Sequence, residues 1–326
     1  MATTTLNRIC LIVAFLGLFA LCHAQSSVIP TVKSLFESRA FKNAKILLAS
    51  VNSEKKEYSE ALYYMGRIAV EEKKYELSIE KFESAIKVNP RNAEYHNWLG
   101  VMYGVIALDA GKIKQTYLAP KIKNEFEKAA EIDPTNIPTQ WGLLTYYSKA
   151  PFFLGGSWDK AFACAAVIKK YDKAQGIRAY AHVHAGHGEI ALAEKEYQEA
   201  INMEPSNYDH VFAMAEFYKE RTEFGKSILL YEGVLIKNPG NMVAAFHVGA
   251  VSALSGLQTE KAIKCLTDYL TYTPRPNEPG HCDANLELGM IYEKKGDQAS
   301  AKKYYRSSLQ LYPGLKEAQQ GLARLN

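Results

Sequence analysis

The sequence predicts an all-α fold, a solenoid of about seven helix pairs with capping helices at both ends, and three observations carry that prediction. Prolines recur at Pro90, Pro134, Pro205, Pro239, Pro274 and Pro313, with separations of 44, 71, 34, 35 and 39 residues, one or two units of 34 plus short insertions. Ahead of the prolines stands one pattern: a small residue 24 positions back (Gly66, Ala181, Ala215, Gly289), another at 12 (Ser78, Ala193, Ser227, Ala262, Ala301, with Ile122 the exception), and a ring or Leu at eight (Phe82, Phe126, Tyr197, Tyr231, Leu266, Tyr305). Asn92, Asn136, Asn207 and Asn241 follow two residues after a proline, each placed to cap the next helix. Proline ends a helix because it lacks the donor N–H and pushes its predecessor out of the helical region.

Taken in chain order, residues 1–24 read as a secretory signal peptide: Arg8, an apolar run from Ile9 to Leu21, then Cys22-His23-Ala24 ahead of a cut before Gln25. The run is shorter than the roughly 20 residues a bilayer needs, and no later segment is long and apolar enough, so no stable membrane insertion is expected after the signal is removed. The predicted location is periplasmic or secreted. Residues 25–326 form one solenoid, because stacked repeats share a continuous core. Ile29–Ser38 and Phe41–Val51 make a leading helix pair, repeats fall near 59–92, 93–136, 137–173, 174–207, 208–241, 242–276 and 282–315, and 316–326 is a final capping helix.

The offsets resemble those of the tetratricopeptide repeat family, in which small residues at positions 8 and 20 let two antiparallel helices approach and an aromatic at position 24 fills the gap to the next pair. The resemblance covers about residues 59–315 and implies a right-handed superhelix with a concave face lined from the first helix of each repeat. Carried onto this chain, the groove positions are Tyr63, Arg67, Asn97, Trp141, Arg178, His182, Phe212, Glu216, Phe246, Leu286 and Met290. The block from Trp98 through Ile122-Lys-Asn-Glu-Phe126 to Gly155-Gly-Ser-Trp-Asp-Lys-Ala161 is similar to a bacterial envelope subgroup and to the repeat domain of eukaryotic regulators of microtubule dynamics. That similarity implies a shared repeat variant and not tubulin binding, since an exported protein does not meet tubulin. Family members that clamp a chaperone's terminal carboxylate use Lys and Asn at positions 5 and 9; Tyr63 and Arg67 stand in the first repeat here, so that clamp is absent.

Three insertions depart from the repeat. Gly104–Pro120 adds ten residues between the helices of the second repeat, and Ala150–Trp158 expands the same place in the third, so the two are expected side by side as a lobe on one edge. Arg275–His281 lies between repeats, on the opposite edge. Glu71-Glu72-Lys73-Lys74 reads as a solvated helix end.

Composition narrows the chemistry. Lys and Arg number 39 against 35 Asp and Glu, too balanced for nucleic-acid binding. Cys164, Cys265 and Cys282 remain after signal removal, too few for a disulfide framework; Cys265 and Cys282 flank one inter-repeat turn and an oxidising compartment would allow them to pair, but free buried thiols are the expected state. His182, His184 and His187 do not converge: His182 and His184 stand about 200 degrees apart on a helix, so no metal site is expected. Hydrolase, zinc-protease, dinucleotide and haem motifs are missing, so catalytic residues and cofactors are predicted to be none. The expected function is an exported scaffold that receives a peptide or partner surface in its groove. The second reading is a solute-binding accessory of envelope transport that takes a small solute.

Overall fold

The prolines of the period end helices and the asparagines after them begin the next ones. The computed structural model describes residues 27–108 and 110–325, so the predicted signal segment lies outside the described residues. Among them stand 17 α-helices and no strand. A leading pair, α1 (Ile29–Glu37) and α2 (Phe41–Leu48), precedes seven more. These are α3 (Tyr58–Glu71) with α4 (Tyr75–Val88), α5 (Ala93–Leu108) with α6 (Lys112–Ile132), α7 (Ile137–Lys149) with α8 (Trp158–Tyr171), and α9 (Lys173–His187) with α10 (Ile190–Met203). Then come α11 (Tyr208–Glu220) with α12 (Phe224–Lys237), α13 (Met242–Ser255) with α14 (Thr259–Tyr269), α15 (His281–Lys294) with α16 (Gln298–Leu311), and the single helix α17 (Lys316–Arg324). Four of the first helices start on the expected caps: Asn92 Oδ1 accepts from Glu94 N–H at 3.0 Å, Asn136 from Thr139 at 2.9 Å, Asn207 from Asp209 at 3.2 Å and Asn241 from Ala244 at 2.9 Å. Each cap satisfies an orphan N–H and stabilises its helix by about 1 kcal/mol.

The core is a chain of small clusters running along the solenoid, as a nearest-neighbour architecture requires. Phe82, Phe126, Tyr197, Tyr231, Leu266 and Tyr305 are all 5% exposed or less, and burial of each contributes roughly 2 kcal/mol or more. Glycine sets the helix spacing around Phe126. A Cβ on Gly142 of α7 would come within 2.4 Å of its ring and one on Gly100 of α5 within 3.1 Å, so the ring fills the space both helices leave by carrying no side chain.

The second-repeat insertion is not a looped lobe. It lengthens both helices, α5 to Leu108 and α6 from Lys112, because no breaker interrupts Val105–Leu108 and the first turns of α6 are made of good helix formers. Pro120 lies inside α6. The third-repeat expansion is a compact turn with a 3-10 helix at Phe152–Leu154 and Gly155 at φ 92°, the left-handed region that glycine occupies freely. It sits against α6, where the Lys123 side chain passes 3.6 Å from the position of a Gly155 Cβ.

A second correction concerns Glu71-Glu72-Lys73-Lys74. The Glu71 side chain is only 6% exposed, because the solenoid comes round until its last repeats meet its first. Glu71 accepts from Arg39 Nη1 and from the Asn277 N–H, both at 2.9 Å, while Arg39 also donates to the Arg275 carbonyl at 2.9 Å. Lys73 pairs with Asp283 at 2.5 Å and lies 5.7 Å from the Tyr312 ring centroid. The insertion at Arg275–His281 is thus the strap through which the late edge of the superhelix meets the early one.

Candidate functional site

Arg178 and His182 are four residues apart on α9 and share one face. Trp141 reaches toward them from α7, with its ring centroid 5.0 Å from the Arg178 guanidinium carbon and 6.1 Å from the His182 ring. Together with Glu216 and Glu220 of α11 they line a cavity of about 480 Å³ formed by the third to fifth repeats. Phe212 packs next to this wall, 5.4 Å from Tyr231 and 5.8 Å from His247, but does not line it.

Hydrogen bonding at the wall is incomplete. Arg178 Nε and Trp141 Nε1 are buried and have no hydrogen-bond partner among the described residues. Arg178 Nη2 reaches Gln175 Oε1 at 3.4 Å, a long contact for a guanidinium. Among the described residues no carboxylate pairs with Arg178: Glu216 is taken by Lys219, three residues along, and Asp209, Asp172 and Glu204 act on it only from a distance. Burial therefore lowers the Arg178 pKa. Burial, reinforced by Lys149 and Arg178, also depresses that of His182, which favours neutral imidazole. A buried cation without a counter-charge and an indole N–H without an acceptor make this wall a strong donor surface.

The other sequence-predicted groove residues lie elsewhere. Tyr63 donates to Glu94 at 2.6 Å and accepts from Arg67 at 2.7 Å, and Arg67 stacks 3.8 Å from the Trp98 ring centroid; both belong to the first repeats, far along the chain from Trp141. Asn97 accepts from Thr139 Oγ1 at 3.3 Å within the helix contact. Phe246 packs against Tyr269 at 5.2 Å, and Leu286 and Met290 serve the core of the last repeats. The structure brings Trp141, Arg178, His182 and Glu216 together round this cavity and leaves the others outside it, with Tyr63 and Arg67 paired in the first repeats. It adds Trp158, which lines the cavity from the second helix of its repeat, where a register that counts only first helices does not look.

His184 is bonded to Glu196 at 2.6 Å and His187 to Glu189 at 3.2 Å, and no group of three metal-ligating side chains occurs among the described residues. Cys164, Cys265 and Cys282 are free and buried.

Residues 66–104 match a family model described as a TPR repeat, and residues 283–314 match a second described as a tetratricopeptide repeat. The chain therefore carries tetratricopeptide repeats, a repeat type that supports protein–protein interaction. No curated protein matches it in sequence. Among solved structures it is similar to yeast Tom70, at 14% identity and a TM-score of 0.61, over 88% of this chain and 58% of that one. It also matches a tetratricopeptide repeat protein from Parabacteroides merdae, at 12% identity and a TM-score of 0.46, over 82% of this chain and 98% of that one. A third match is pilF of Pseudomonas aeruginosa, at 15% identity and a TM-score of 0.40, over 71% and 97% of the two chains. At these identities the likeness is one of fold.

Proposed function

We propose that this protein is exported and holds an extended peptide segment of a partner protein against the concave wall of its third to fifth repeats. The observation that carries this reading is the pair of buried, unpartnered donors, Arg178 Nε and Trp141 Nε1, on a wall of aromatic surface. An extended chain brings acceptors at regular intervals and side chains that cover the rings between them. Arginine and tryptophan are also the residue types that dominate binding hot spots. The solute-binding reading asked for a pocket enclosed by the groove and the two edge insertions. Trp158 alone of the inserted segments lines the cavity, while Phe152 and Phe153 point outward at 91% and 78% exposure.

Partners recovered with the purified protein from its own cells, identified by mass spectrometry, supply the peptide. Trp141→Ala should weaken its binding by about 2 kcal/mol or more, roughly thirtyfold, with circular dichroism unchanged. Normal binding by this variant and loss of binding from changes on the outer helices would place the partner on the convex face instead. Export is tested by the intact mass of the native protein, which should begin at Gln25; a chain that still carries residues 1–24 refutes it.

A further inference from the structure

Where the ends of the superhelix meet they form a second, open cavity, of about 920 Å³, that no sequence pattern announced. Its walls come from the turn between α1 and α2, the turn after α3 with the start of α4, α5, α13, the strap, the start of α15 and the end of α16. The two cations on the wall are already committed, Arg39 to Glu71 and Lys73 to Asp283. That leaves two carboxyl groups over. Glu278 accepts from the Tyr272 hydroxyl at 2.9 Å and the Arg275 N–H at 2.7 Å, but pairs with no cation among the described residues. Glu287, which reaches the cavity from α15, has Oε2 buried with no hydrogen-bond partner among the described residues. Beside it stand the rings of Phe246 and His247, the latter stacked on Tyr231 with centroids 4.9 Å apart.

We infer that this cavity is a binding site for a protonated amine, with Glu287 as its anchoring carboxylate and the Phe246 and His247 rings as flanking walls. An ammonium group supplies three donors and a positive charge, which answers both a solitary buried acceptor and the surplus of carboxyls. Aromatic faces favour the same cation, and an anion would meet an unpaired acid. The imidazole beside it does not compete for the role, since burial holds His247 neutral down to about pH 4. The site lies on other repeats than Trp141 and Arg178 and shares no lining residue with that wall, so either can fail alone, although Lys219 touches both, paired with Glu216 there and acting on Glu287 here.

Burial, helped by Asp283 on the same helix, pushes the Glu287 carboxyl up to about 8, and Lys219 of α11 pulls the other way. The remaining charged and titratable groups round the cavity are His247 of α13, Glu278 and His281 of the strap, Cys282 at the start of α15, and Arg39, Glu71, Lys73 and Tyr75 across it. At pH 7 an entering ammonium must therefore displace the Glu287 proton into solvent.

The test is calorimetric titration of the full mature chain at pH 8.5 with two probes, 1,4-diaminobutane and N-acetyl-lysine N-methylamide. Binding of the diamine alone identifies a free solute as the source, binding of the lysine derivative a partner's side chain, and either supports the site. Glu287→Gln keeps the shape and should weaken the bound probe about tenfold or more. Wild-type titrations at pH 7 in two buffers of different ionisation enthalpy should show release of about one proton, a readout that does not depend on the variant. Failure of both probes to bind at roughly millimolar concentration, equal binding by Glu287→Gln, or binding without proton release overturns the inference.

Discussion

Replacing Arg178 with Met should make the free protein more stable while removing its grip on a partner. Methionine keeps the length of the aliphatic stem and removes only the charged head. In the structure that head has no carboxylate partner, and burial lowers its pKa, so the folded state bears a desolvation cost that the unfolded chain does not. For a buried ion in a real protein that cost is about several kcal/mol. Against it stand the contact with the Trp141 ring, about 1 to 2 kcal/mol, and the 3.4 Å bond to Gln175, below about 1 kcal/mol. The balance favours the variant by about 1 kcal/mol, or about 2 °C in Tm. Urea unfolding followed by circular dichroism measures it, with an unchanged m-value showing that the same structure unfolds. A loss of stability of similar size would mean that Arg178 is a net structural residue, and the reading of this wall as a donor surface awaiting a partner would fall with it.

Other outcomes follow from the same structure. Gly176→Ala should destabilise by about 3 kcal/mol despite the better helix propensity of Ala, since its Cβ would lie 2.1 Å from the Lys169 backbone, which no rotamer change can move; thermal unfolding decides it. Deleting residues 316–326 removes Ala318 and Leu322 from the face of the last repeat and breaks the 2.7 Å Arg324–Glu293 pair, so hydrogen exchange should rise first in residues 285–309, and uniform exchange would show that α17 is no cap. Between about pH 7.5 and 8 stability should fall as pH rises. The raised Glu287 carboxyl holds a proton in the folded chain that an unfolded glutamate has lost, so folding costs more once that proton leaves, whereas the depressed His247 and His182 act below that window, where unfolded imidazole takes up its proton. Tm measured across it should slope downward for the wild type and run flat for Glu287→Gln.

What the sequence determined by itself is everything that depends on neighbours one repeat apart. The period of the prolines, the asparagine caps and the buried ring at Phe82, Phe126, Tyr197, Tyr231 and Tyr305 are local requirements of helix ending, helix starting and helix pairing, and each is legible within about 40 residues of chain. The four groove residues that converge, Trp141, Arg178, His182 and Glu216, were legible for the same reason, since they sit on adjacent repeats in one register. Contacts between residues a full superhelical turn apart follow from packing along the whole chain and have no local signature. Glu71 and Lys73 look like an exposed charged helix end until the solenoid brings Asn277 and Asp283 onto them, some 206 and 210 residues later. Glu287 likewise looks like one more helix glutamate until the same closure encloses it. Superhelical pitch is the accumulated sum of small rotations between successive helix pairs, set by side-chain volumes at every interface. A period reports that pairs repeat, but the angle at which the eighth meets the first is fixed by packing.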